Sequence, residues 1–164
     1  MAMVEPEELV LGFDVAASPE RLEQWWTDLP EVYEAEDPRE QPHRIERLAT
    51  TEDGAVYETE WRGPMGLTFT LEETLHDEGP GRWRFVVPGP GFEIVDRYEV
   101  TATETGAHLE IRSTISYDHL PGKLAQRVMI PNWKQMFTEV FSDAVAVFEE
   151  HRAGEAASPT RAST

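Results

Sequence analysis

Apolar and polar positions alternate along this chain with two different periods. Leu9, Leu11, Phe13 and Val15 recur at every second position, the period of a strand with one buried face. In "SPERLEQWWTDLP" the period lengthens: Leu22, Trp25, Trp26 and Leu29 fall at i, i+3, i+4 and i+7, one face of a helix. Ser18 is placed to cap that helix, Pro19 suits its first position, and Glu20 and Glu23 favour the positive end of its dipole. Pro30 ends it. "PEVYEAEDPREQPH" reads as one more short helical turn before Pro38 and Pro42 force an irregular connection.

From residue 43 to 118 the period is two, interrupted by the turn clusters "TEDG", "GPMG", "DEGPG", "PGPG" and "ETG". Strands joined by short glycine turns predict an antiparallel meander. They are placed near 43–50, 55–62, 66–76, 82–87, 92–104 and 107–118, and with the first strand they make seven. After "DHLPG" the helical period returns, and Trp133, Phe137, Val140, Phe141, Ala144 and Phe148 share one face. Pro131 interrupts the approach to this helix, so a break is expected after Ile130, with Pro131 in the opening turn of the second segment. Leu124, Val128, Met129 and Ile130, with Trp133 beyond the bend, are then expected to cover one end of the interior. The closing "AGEAASPTRAST" is small and polar. These limits give a flexible N-terminus over 1–7, a single domain over 8–151 and a disordered tail over 152–164.

The predicted fold is α+β: a curved seven-stranded antiparallel sheet around a long C-terminal helix, with two short helices between the first and second strands. One helix on so large a sheet covers its middle and leaves its ends open, so a cavity is expected between them.

The order of elements, with "VAASPERLEQWWTDLPEVY" near the start and "PNWKQMFTEVFSDAVAVFEEH" at the end, resembles the START-like or SRPBCC superfamily, the helix-grip fold that includes polyketide cyclase-like proteins. The likeness covers roughly residues 8 to 151. It implies a hydrophobic pocket between sheet and helix, used by different members for lipids, sterols, polyketides, quinones or plant hormones. Some members catalyse cyclisation or dehydration, others bind or carry, and others, resembling activators of a heat-shock ATPase, act through protein contacts. No universal catalytic residue comes with the resemblance.

Charge narrows the partners. The chain has 32 acidic and 14 basic residues, a net charge of −18, and only two of its basic residues, Lys123 and Lys134, are lysines. Such a surface repels phosphate backbones and anionic headgroups, so nucleic acid is not an expected partner. Acid excess with scarce lysine suggests a high-salt cytoplasm. No run approaches the length of a membrane span and the N-terminus lacks the features of a signal peptide, which leads to an expected cytoplasmic location, as monomer or homodimer. With no cysteine, thiolate metal sites and a cysteine nucleophile are excluded. The five histidines show no i, i+4 or i, i+2 pair; His119 reads as a surface or capping residue, and no metal or cofactor is expected. "GPMG" and "PGPG" join strand to strand and do not match a phosphate loop, and no G-x-S-x-G elbow occurs.

The apolar phase of each strand names the side chains facing the interior: Tyr57, Thr59 and Trp61; Leu67, Phe69 and Leu71; Trp83, Phe85 and Val87; Phe92, Ile94 and Tyr98; and Leu109, Ile111, Ser113, Ile115 and Tyr117. Most serve equally well as core. Ligand contacts are expected from Trp26, Tyr57, Trp61, Phe69, Leu71, Trp83, Phe85, Ile94, Tyr98, Ile111, Ser113 and Tyr117, and around the helix break from Met129, Trp133, Met136 and Phe137, because ligand pockets are apolar with a few placed polar groups. Two carboxylates share the inward phase, Glu73 and Asp96. Burial would raise their pKa toward the range useful for proton transfer, which makes them the catalytic candidates. A β-bulge, a wet rim or an arginine partner would each silence Asp96.

Overall fold

A computed structural model of the chain describes residues 4–29, 31–36 and 42–156. Strand β1 (Glu7–Val15) leads into helix α1 (Pro19–Thr27), which Ser18 caps by accepting the Arg21 N–H at 3.2 Å. Strands β2 (Val32–Glu34), β3 (Arg44–Thr50), β4 (Gly54–Arg62), β5 (Thr68–Asp77), β6 (Arg82–Gly89), β7 (Phe92–Thr103) and β8 (Gly106–Tyr117) follow, with a 3-10 turn over Pro64–Gly66. The chain closes with α2 (Leu120–Met129) and α3 (Trp133–Ala156). The strands form one antiparallel sheet in the order β1-β8-β7-β6-β5-β4-β3-β2.

Among the described residues the sheet therefore has eight strands rather than seven. The segment expected to make a second short helix is instead β2, with Val32, Tyr33 and Glu34 opposite Glu46, Ile45 and Arg44. Three residues are too few for periodicity to separate a helical turn from a strand, and here a free sheet edge and a Val-Tyr pair decide for the strand. At the other end, α3 runs to Ala156, beyond the domain limit expected at residue 151. Residues 1–3 and 157–164 lie outside the described residues.

The break at Pro131 is present. Ile130 caps α2, Pro131 and Asn132 form a turn rather than the opening of the helix, and the Asn132 carbonyl accepts the first α3 bond from the Met136 N–H at 3.1 Å. Asn132 has φ 53°, a left-handed conformation that asparagine tolerates better than most residues.

Helix α2 lies the other way round from the sequence expectation. It buries Gly122 and Gln126 and exposes Leu120 (60%), Leu124 (57%) and Val128 (80%), so Leu124 and Val128 do not cover the interior; Ile130 does, with Met129 half-buried. The cause is backbone contact. Gly122 rests on the turn between β6 and β7, where a Cβ would stand 1.9 Å from the Gly91 carbonyl oxygen. His119 fixes the start of the helix as its N-cap, Nδ1 accepting the Gly122 N–H at 2.9 Å. One turn on, Gln126 Nε2 donates to the Ile130 carbonyl at 3.2 Å while its Oε1 meets the Tyr117 hydroxyl at 3.0 Å. The Tyr117 hydroxyl also contacts the Glu7 carboxylate, and burial first, then Glu7, raises its pKa above the ordinary tyrosine value. Hydrogen bonds rather than leucines thus seat α2.

Candidate functional site: a polar belt in an aromatic interior

The concave face of the sheet carries two apolar clusters. The first gathers Trp26, Tyr57, Trp83, Phe85, Tyr98, Ile111 and Phe141, with Leu22 and Phe148 beneath α1 and α3. The second gathers Ile94, Tyr117, Ile130 and Trp133, with Leu71, Met129 and Met136 packed on it. Phe137 touches both.

Between them runs a polar belt. One row across the sheet reads Leu75, Phe85, Asp96, Ser113, Leu9 in direct cross-strand register, and Glu73 stands opposite Tyr57 one row nearer α2. The β7 register is unbroken on both sides from Phe92 to Glu99, so no bulge turns Asp96 outward. Asp96 is 7% exposed, and Ser113 Oγ donates to its Oδ1 at 2.6 Å. Thr59, also buried, accepts from Trp61 Nε1 at 2.9 Å and donates to the Leu71 carbonyl at 3.3 Å. No basic side chain meets either carboxyl among the described residues.

Burial pushes Asp96 up to about 6, with the Ser113 hydrogen bond opposing. Burial and then the charge of Asp96 push Glu73 up to about 7, with Thr59 opposing. Tyr98 is raised well above its ordinary value, by burial first and then by the two carboxylates. The belt can therefore hold or pass a proton near neutral pH.

Glu73 is surrounded by protein yet keeps accessible surface. The sheet explains this. Strand β5 pairs with β4 from Thr68 to His76 but with β6 only from Thr74 to Asp77. Ahead of Thr74 the two strands part, and the side chains on that stretch, Phe69, Leu71 and Glu73, remain half-buried.

Of the expected contacts, Trp26, Tyr57, Trp83, Phe85, Ile94, Tyr98, Ile111, Ser113, Tyr117 and Trp133 are buried, and Leu71, Met129, Met136 and Phe137 are half-buried against the clusters. Trp61 and Phe69 face each other across β4 and β5 and join neither cluster. Leu67, placed inward by alternation, precedes β5 and is exposed. Gln126 is buried although the hydrophobic pattern does not single it out; its sequence signal is a position four residues after Gly122, which becomes informative once glycine contact orients the helix.

The space between sheet and α3 is largely occupied by Phe137, Phe141, Trp133 and Met136. Two recesses lie elsewhere. One of about 360 Å³ sits among Glu23, Thr27, Asp53 and Asp77, and one of about 210 Å³ lies beside Arg82, Arg97, Glu99 and Arg112.

A curved antiparallel sheet gripping a C-terminal helix, with short helices closing its ends, defines the helix-grip fold of the START-like superfamily. The family described as "Polyketide cyclase / dehydrase and lipid transport" matches residues 10–149, and the chain belongs to it. No curated protein matches in sequence. Among solved structures, the fold is similar to an uncharacterised protein from Rhizobium leguminosarum, at TM-score 0.62 and 14% identity over 90% of this chain and 96% of that one. It is equally similar to norcoclaurine synthase of Thalictrum flavum, at TM-score 0.62 and 13% identity, covering 93% and 99%. The di-domain ARO/CYC protein StfQ of the steffimycin biosynthetic pathway matches at TM-score 0.58 and 14% identity, over 91% of this chain and 52% of that one. No helix among the described residues is long and apolar enough to cross a membrane.

Proposed function

We propose that the chain binds a hydrophobic or aromatic small molecule between the sheet and α3, as a carrier or binding protein. The observation that carries this reading is the belt of Thr59, Glu73, Asp96 and Ser113 dividing two aromatic clusters. A core built only for stability gains little from unpaired carboxyls, because burying them costs free energy that apolar side chains would not. A ligand with polar groups supplies the missing partners. Entry is through the stretch where β5 and β6 part, beside Met129 and Met136, whose flexible side chains yield more readily than branched ones. Native mass spectrometry of freshly purified protein is expected to show a co-purified small molecule, and a library of lipids, quinones and polyphenols is expected to raise Tm by mass action. No retained molecule and no shift across the library would overturn the reading.

A second reading, an enzyme acting as a polyketide cyclase or dehydratase, draws support from the two carboxyls themselves. With Asp96 at about 6 and Glu73 at about 7, one can be ionised while the other holds its proton, the arrangement that general acid–base catalysis needs. In that case Asp96→Asn abolishes turnover and leaves ligand affinity nearly intact; retained turnover would exclude Asp96 as the base.

A further inference from the structure

We infer that the ligand of this interior is a hydrophobic amine, held as its ammonium ion between Asp96 and Glu73 and against the rings around Tyr98; the inference rests on the binding reading above and names its ligand class. Four observations lead to it.

The first is the absence, among the described residues, of a cation beside either carboxyl. Among the described residues Asp96 receives only the Ser113 hydroxyl, and the Thr59 hydroxyl, which donates to the Leu71 carbonyl, opposes the raised pKa of Glu73. The charged groups on the surrounding elements are engaged elsewhere or point away. On β3, Arg47 donates to the Leu29 carbonyl at 3.0 Å and the Tyr57 hydroxyl at 3.3 Å. On α2, Lys123 lies over the Tyr117 ring at 5.5 Å, and Arg127 acts on Tyr117. On α1, Glu23 accepts the Gly81 N–H at 3.0 Å, and on β1, Glu7 meets Tyr117. On α3, Lys134, Glu139 and Asp143 are exposed. Tyr98 and Tyr117, whose pKa values burial raises, are neutral in the working pH range. Two enclosed carboxyls without a counter-ion take up either protons or a cationic ligand.

The second is the wall. The Tyr98 ring, two residues from Asp96 on the same face of β7, has Trp83 at 5.1 Å, Trp26 at 5.5 Å, Phe85 at 5.9 Å and Phe141 at 6.1 Å. Aromatic faces attract cations, and most strongly where water is excluded. The third is a donor without an acceptor: Trp83 is 1% exposed, and its Nε1–H has no partner among the described residues. An oxygen on the ligand would satisfy it, so the amine is expected to carry a hydroxyl, ether or carbonyl as well. The fourth is the net charge of −18, which draws cations toward the protein and repels fatty acids and phosphorylated lipids.

The test uses three probes of one shape: 2-(2-naphthyl)ethylamine, 2-(2-naphthyl)ethanol and 2-naphthylacetate. Each is titrated into the full chain by calorimetry, with tryptophan fluorescence in parallel, at about pH 8 and about pH 5, either side of the raised carboxyl values. At the higher pH the amine is expected to bind at least about tenfold tighter than the alcohol, and the naphthylacetate weakest. The preference should collapse at the lower pH, where the carboxyls are protonated, and in the double variant Glu73→Gln/Asp96→Asn, which should still bind the alcohol. Should the double variant fail to fold, Glu73→Gln alone, at a half-buried position, is expected to lose most of the preference. Alcohol binding equal to or tighter than amine binding at the higher pH overturns the amine inference and leaves the binding reading standing. Failure of all three probes to bind overturns both.

Discussion

Asp96 and Ser113 stand directly opposite each other on β7 and β8, and the Ser113 hydroxyl donates to Asp96 Oδ1 at 2.6 Å. Among the described residues it is the one hydrogen bond given to a carboxyl that is 7% exposed. Ser113→Ala should therefore destabilise the protein by about 1–3 kcal/mol above the Asp96 titration, the range for losing a hydrogen bond to a buried charge. The cost should shrink below about pH 5, where Asp96 is protonated and the hydrogen bond to the charged form no longer matters. Urea melts of the two proteins at both pH values measure it.

Both carboxyls have folded-state pKa values above their unfolded ones, from 3.8 to about 6 for Asp96 and from 4.5 to about 7 for Glu73. The folded state thus binds more protons than the unfolded state across this window. Their contribution is fully present below the unfolded values and is lost as pH rises through 6 to 7. Each pKa unit corresponds to about 1.4 kcal/mol, so each group should account for a loss on the order of 3 kcal/mol between pH 4 and 8. The surface acids superimpose their own slope, so the comparison is with Glu73→Gln, which should remove its share of the decline. A variant whose pH profile parallels that of the wild type would show that Glu73 titrates normally.

Gly122 is where α2 touches the turn at Gly91. Gly122→Ala places a Cβ where the Gly91 carbonyl oxygen stands 1.9 Å away, so the helix must lift off and strain its Gln126–Tyr117 bond. A helical Gly→Ala exchange normally gains about 1 kcal/mol. Here a net loss of about 2 kcal/mol or more is expected from chemical denaturation, the size of an overpacked contact. A neutral or stabilising result would mean that α2 is not seated by this contact.

The meander, α1 with its Ser18 cap and the break before α3 were legible because alternation, helical spacing and proline are local signals. Asp96 and Glu73 were legible for the same reason, since an acidic residue in an otherwise apolar phase stands out. What local pattern hid were the relationships set by distant backbone. Val32–Glu34 became a strand because β3 offered it an edge. Helix α2 turned its leucines outward because glycine met glycine across α2 and the β6–β7 turn. Leu67 matched the inward alternation but fell just before the strand began. The parting of β5 from β6, which leaves Glu73 accessible, depends on pairing partners that no single segment encodes.

The central claim is that a small molecule occupies the interior between sheet and α3. The five tryptophans offer a direct probe, because each indole N–H gives its own signal in a nitrogen-15-labelled spectrum. Titration with a naphthyl or polyphenol ligand is expected to shift the indole signals of Trp83, which borders the polar belt, and Trp133, which closes the second cluster, with saturation at one affinity. Trp61, outside both clusters, should move less. Saturable binding that leaves Trp83 and Trp133 unmoved, or no binding at all, would contradict the account.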